Sequence, residues 1–125
     1  LDVGGGDAAH KLTILASIAF GIPLQFDKVY MEGITHITPQ DVVYAGELGY
    51  RIKHLGITRR SDDGIELRVH PTLIPERRLL ANVDGVMNAV LVHGDAVGPT
   101  LYYGAGAGAE ATASAVVADL VDVVR

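Results

Sequence analysis

Cysteine is absent from the 125 residues, which excludes a disulfide framework, a thiolate zinc site and a cysteine nucleophile, and suits a reducing cytoplasm. Tryptophan is missing too, and phenylalanine occurs only as Phe20 and Phe26. Positive charge is scarce: ten Lys and Arg against fifteen Asp and Glu give a formal net charge of −5 and a pI near 5.4. That is the wrong sign for a general binder of phosphate backbones, so nucleic acid is not expected as a partner. Long hydrophobic runs are also lacking. The most apolar stretch, Leu12 to Phe20, is too short to span a bilayer, and no basic region with a small-residue cleavage site precedes it. A soluble protein without a membrane partner is expected.

What is present is ample apolar surface. Hydrophobic residues make up 49% and charged residues 20%, enough burial to offset the entropy of ordering. A mass of 13.2 kDa allows one domain with one modest core. The chain starts with Leu1 rather than Met, and a glycine-rich motif begins almost at once. A segment of a longer polypeptide is therefore expected.

Along the chain, Asp7 after Gly4-Gly5-Gly6 is placed as the N-cap of an apolar helix from Ala8 to Phe20, ended by Gly21 and Pro23. Ala, Leu and Ile on nearly all its faces imply burial on most sides. Leu24 to Ile37 reads as irregular or extended. Thr38-Pro39 opens a second helix that runs to about Leu48 and stops at Gly49. A period near two then marks strands around Arg51–Ile57 and Ile65–Val69, with hairpin chemistry in Ser61-Asp62-Asp63-Gly64 and a broken ladder at Pro71 and Pro75. Two further strands, Val86–Val92 and Thr100–Tyr103, flank a turn at residues 93–98, and apolar positions from 113 to 124 describe a final amphipathic helix from Ala111. The fold class that follows is α+β, with a mostly antiparallel or mixed sheet of about four strands packed by about three helices.

Chemistry could reside in a few places. The run Gly104-Ala105-Gly106-Ala107-Gly108-Ala109 follows a strand and opens a helix, as a dinucleotide fingerprint does. A fingerprint proper begins a βαβ unit, and here no second strand follows, so a tight strand-to-helix connection is the alternative. Asp7 and Lys11 are one helical turn apart and can face a common space, either as an acid beside a working amine or as a solvated pair. The apolar residues around Lys11 place it at the edge of a cleft. The five histidines, at 10, 36, 54, 70 and 93, show no ligand spacing, so no metal site is expected. Arg51, Lys53, Arg59 and Arg60 stand beside Asp62, Asp63 and Glu66, as on a solvated strand face.

Taken together, Gly6-Asp7-Ala8-Ala9-His10-Lys11-Leu12, His70-Pro71-Thr72-Leu73-Ile74-Pro75, Leu80-Ala81-Asn82-Val83-Asp84-Gly85-Val86-Met87-Asn88-Ala89-Val90, Gly94-Asp95-Ala96-Val97-Gly98 and Tyr103-Gly104-Ala105-Gly106-Ala107-Gly108-Ala109-Glu110 resemble, in order, the catalytic domain of bacterial homoserine dehydrogenases. The resemblance covers essentially residues 1–125 as a catalytic and dimerisation domain. It implies a cytoplasmic oxidoreductase that interconverts L-homoserine and L-aspartate 4-semialdehyde with NAD or NADP, on the way to threonine and methionine. By position, Lys11 matches the family's catalytic lysine, a proton donor and acceptor. Asp7 and Asp2 match substrate-binding acids, and Gly108, with Gly106, matches the late glycine-rich loop near the cofactor. The resemblance also implies a homodimer. The family's nucleotide-binding domain has no counterpart here, so this piece alone is expected to be inactive; a non-catalytic dimerisation or ligand-binding module of the same fold is the alternative.

Overall fold

The computed structural model describes residues 2–125 and divides the chain into two compact units, one reaching to Arg77 and one from Arg78 to Arg125. The length argument allows one modest core, and among the described residues every buried apolar side chain except Ala81 falls in the first unit.

The first unit is built on a long antiparallel ribbon, β2 (Tyr50–Ser61) and β3 (Gly64–Pro75), paired from Ser61↔Gly64 to Tyr50↔Pro75. Asp62 and Asp63 form the connection, and Gly64 takes a φ of 130°, which suits glycine, so the hairpin expected there is found. The expected break is corrected at Pro71, which β3 runs through, whereas Pro75 is the strand's last residue. The reason lies in the direction of the backbone groups. Val69 O accepts from Glu32 N at 2.8 Å, on the side of β3 away from β2. Residues two and more pairs further on, 71, 73 and 75, aim their backbone groups the same way. The neighbouring strand there, β1 (Tyr30–Met31), pairs in parallel only with Arg68 and Val69. Beyond Val69 that side is an edge, where a proline removes no ladder bond. Strand order is β1-β3-β2.

Helix α1 (Gly6–Phe20) covers one face of this ribbon, and Ala9, Leu12 and Ala16 form the core with Leu67 and Val69. Its burial is narrower than its composition implies. The buried positions form one stripe, whereas Ile14 is 52% and Ile18 77% exposed. Gly21 ends the helix in a left-handed conformation, as expected. Helix α2 (Pro39–Glu47) also starts where the sequence places it, with Thr38 as N-cap in a full capping box with Asp41.

The second unit contains a 3-10 turn (Leu79–Asn82), an antiparallel hairpin of β4 (Met87–Gly94) and β5 (Gly98–Ala105), and α3 (Ala109–Val124). The apolar positions of α3, among them Val116, Val117, Leu120 and Val121, are more than half exposed. Across the described residues, three helices and five strands in a mixed and an antiparallel sheet make the α+β fold.

Candidate functional site

The N-terminal end of α1 carries the principal candidates. Residues 2–5 form a turn in which Gly5 N donates to Asp2 O at 3.2 Å, and Gly5 O accepts from Ala9 N at 2.9 Å. The helix therefore opens earlier than expected. Gly5, with a φ of 90°, stands at the cap, and no side chain caps the helix. The placement of Asp7 as N-cap is thereby corrected: it lies in the first turn, where a carboxylate faces the positive end of the helix dipole. Its Oδ2 is 2.9 Å from Lys11 Nζ.

This pair sits opposite the core. At roughly 100° per residue, positions 7 and 11 point about 160–200° away from Ala9, the innermost residue of the buried stripe. Both side chains are open in this unit, Lys11 at 71% and Asp7 at 46%, so the partial burial expected of Lys11 at a cleft edge is not provided by these residues. The same outer face continues along α1 as Ile14 and Ile18. Asp7 and Lys11 thus form a charged end to an otherwise apolar, solvent-facing stripe. Chemically, an ammonium held beside a carboxylate can give a proton to an oxygen of a bound substrate, while the carboxylate can accept hydrogen bonds from its polar groups.

Asp2 is exposed in the turn before α1, tied to the helix through its carbonyl rather than brought against Lys11 by any contact. Against this turn lies part of the stretch 24–37, whose sequence reads as irregular or extended. Ile34 N donates to Val3 O at 2.9 Å, and a Cβ on Gly33 would stand only 2.6 Å from Val3 O. Glycine is required there for the two backbones to approach. Just before it, Glu32 accepts from the Tyr30 hydroxyl at 3.1 Å and lies 3.0 Å from His36 Nε2. The hydrogen bond to Glu32, and then its negative charge, raise the Tyr30 phenol above its ordinary range. Beneath both segments, His54 Nε2 donates to Glu32 O at 2.8 Å. The only advance signals for this cluster were Gly33 and the histidine positions, neither of which has a recognisable spacing.

The glycine-rich loop belongs to the second unit. Gly106 N donates to Val86 O at 3.0 Å, and a Cβ there would collide with the Asn88 amide. Gly106 therefore meets a packing demand, in line with the tight strand-to-helix alternative. Gly108 is different. It caps α3 with a φ of 106°, no side-chain cap is made, and a Cβ would meet open space. The uncapped amides of that helix start fit an approaching phosphate. The basic residues of β2 do not share the one solvated face expected of them: exposed Arg59 pairs through Nε with Glu66 at 2.8 Å, whereas Arg60, the next residue, points to the α1 side, its guanidinium 5.6 Å over the Phe20 ring. Among the described residues no group of His, Asp and Glu is arranged to hold a metal, and no helix is long and apolar enough to cross a membrane.

An α+β layer with an acid–ammonium pair on the outward face of its helix is the class these observations define. Residues 1–121 match the family described as homoserine dehydrogenase. A homoserine dehydrogenase of Pseudomonas aeruginosa is 77% identical over 124 residues, 99% of this chain and 29% of that protein. A crystal structure of a homoserine dehydrogenase from Thiobacillus denitrificans superposes with a TM-score of 0.92 at 78% identity, covering 98% of this chain and 28% of the other. A hyperthermophilic archaeal homoserine dehydrogenase mutant, solved in complex with NADPH, gives 0.68 at 27% identity over 96% of this chain and 33% of its own. The chain belongs to the homoserine dehydrogenase family and spans about a third or less of the length of these relatives.

Proposed function

We propose that these residues form the catalytic and dimerisation region, residues 1–125, of a cytoplasmic homoserine dehydrogenase that interconverts L-homoserine and L-aspartate 4-semialdehyde. The observation that carries the reading is the Asp7–Lys11 pair at 2.9 Å on the face of α1 turned away from the core. A bound nicotinamide, NAD or NADP, supplies or accepts the hydride. When the aldehyde is reduced, its oxygen becomes an alkoxide, and Lys11 delivers the proton that neutralises it. In the reverse direction an unprotonated Lys11 accepts the proton of the homoserine hydroxyl. Asp7 orients Lys11 and, with Asp2, receives the polar end of homoserine. Gly108 leaves space and free amides for the phosphates of the cofactor, most of whose pocket comes from parts of the protein beyond this segment. Alone, the segment is inactive.

The second reading, a non-catalytic assembly or ligand-binding module, has the exposure of Lys11 in its favour. Sizing this chain in solution and titrating it with L-homoserine separates the two. Specific homoserine binding that Asp7→Ala abolishes supports a retained half-site. Stable dimers without any homoserine binding would support the module instead.

A further inference from the structure

The turn that presents Asp2 and leads into Asp7 has few bonds of its own, so something else must fix its position. Two contacts do. The segment 32–34 is bonded to it through Ile34 N and Val3 O, with Gly33 in close contact. That segment is in turn held to the sheet by Glu32 N on Val69 O at 2.8 Å and by His54 Nε2 on Glu32 O at 2.8 Å. His54 pairs with Pro71 in the ribbon, two positions from the Gly56↔Val69 couple. It therefore projects from the same sheet face that carries Val69, toward α1. There its Cε1 lies 3.3 Å from where a Cβ on Gly5 would be, with Val69 Cγ1 at the same distance and Met31 Cγ at 3.1 Å. One half-buried imidazole thus fills space beside the side of the helix-capping glycine where a Cβ would stand and grips the neighbouring segment with its Nε2–H.

We infer that His54 is a positioning residue for homoserine: by donating to Glu32 O while backing Gly5, it sets where the 2–5 turn holds Asp2 and Asp7. The inference rests on the proposed roles of those two acids. It assigns His54 no contact with substrate. Bond loss at this joint should loosen the turn that carries Asp2 and leads into Asp7, and disturb Lys11 far less, because α1 beyond its first turn is packed on the sheet through Ala9, Leu12 and Ala16.

The test uses the complete polypeptide that contains this segment, with His54→Gln, His54→Asn and Asp7→Ala compared by steady-state kinetics and thermal unfolding. The amide of Gln reaches the position of imidazole Nε2, whereas that of Asn stops one bond short. His54→Asn should raise the KM for homoserine about 3–10-fold with kcat nearly unchanged, the loss of one ordinary hydrogen bond, and His54→Gln should restore it. Equal impairment of both variants, or a fall in kcat and KM that tracks a lower Tm, would show a space-filling role and overturn the inference. So would a normal KM in His54→Asn when Asp7→Ala raises it. If Asp7→Ala itself leaves KM unchanged, the underlying assignment of the acids fails, and the role of His54 with it.

Discussion

Replacing Lys11 by alanine separates the proposed chemistry from architecture, because the two would change by very different magnitudes. Lys11 lies on an exposed helix face, 71% open, and its ion pair with Asp7 spans a single turn. Such pairs contribute about 0.3–0.5 kcal/mol, and alanine is itself the strongest helix former. The expected change in stability is within about 0.5 kcal/mol, a few degrees in Tm for a unit of this size. The loss of a general acid costs about 10²–10⁴ in rate, equivalent to roughly 2.7–5.4 kcal/mol in the barrier. The assay is steady-state turnover of the complete enzyme in both directions, read by nicotinamide absorbance, alongside thermal unfolding. Turnover should collapse with the KM for homoserine changed little, whereas the unfolding curve hardly moves. Lys11→Arg should keep the ion pair and still fail in turnover, because a guanidinium does not give up its proton in the working range. A Lys11→Ala enzyme within about threefold of wild-type turnover, or one whose lost activity merely tracks lost folded protein, would refute the reasoning.

Two further outcomes test the scaffold. Val69, on the face of the ribbon covered by α1, is fully buried; Val69→Ala should cost about 2–3 kcal/mol from lost burial plus a cavity, seen as a lower denaturant midpoint at unchanged slope. At α2, the Thr38 N–H and then the Thr38 hydroxyl region hold the Asp41 carboxyl below its ordinary range. A group lowered in the folded state stabilises fully above its unfolded value, near about pH 4, and loses that contribution as pH falls through the lower native one. The Tm advantage of wild type over Asp41→Ala should therefore close in acid; a gap independent of pH would contradict the capping box as the cause.

How much of this could be read in advance depends on how local the determinants are. Thr38-Pro39 and Asp62-Asp63-Gly64 act through their own backbone, so α2 and the hairpin were legible. The Asp7–Lys11 pair was legible for the same reason, being set by helical spacing alone. Pro71 misled because its effect is decided by a neighbour: it breaks a strand only where a partner requires its N–H, and β1 ends before reaching it. Asp7 as N-cap failed through Gly5, whose left-handed backbone opens the helix sooner than a side-chain cap would. The joint of Gly33, Glu32 and His54 was not legible, since it is made by backbone carbonyls contributed from three distant stretches. Family likeness supplied the roles of Asp2 and Gly108, which no spacing in the chain implies.

Helix α1 answers to two masters on opposite sides. Ala9, Leu12 and Ala16 are constrained by the sheet beneath, whereas Asp7 and Lys11 look outward and touch none of that packing. With the roles proposed for Asp7 and Lys11, drift along the inner stripe retunes robustness without disturbing reactivity, and replacements along the outer one alter reactivity at little risk of unfolding. Selection can thus work on the two stripes of a single helix almost independently.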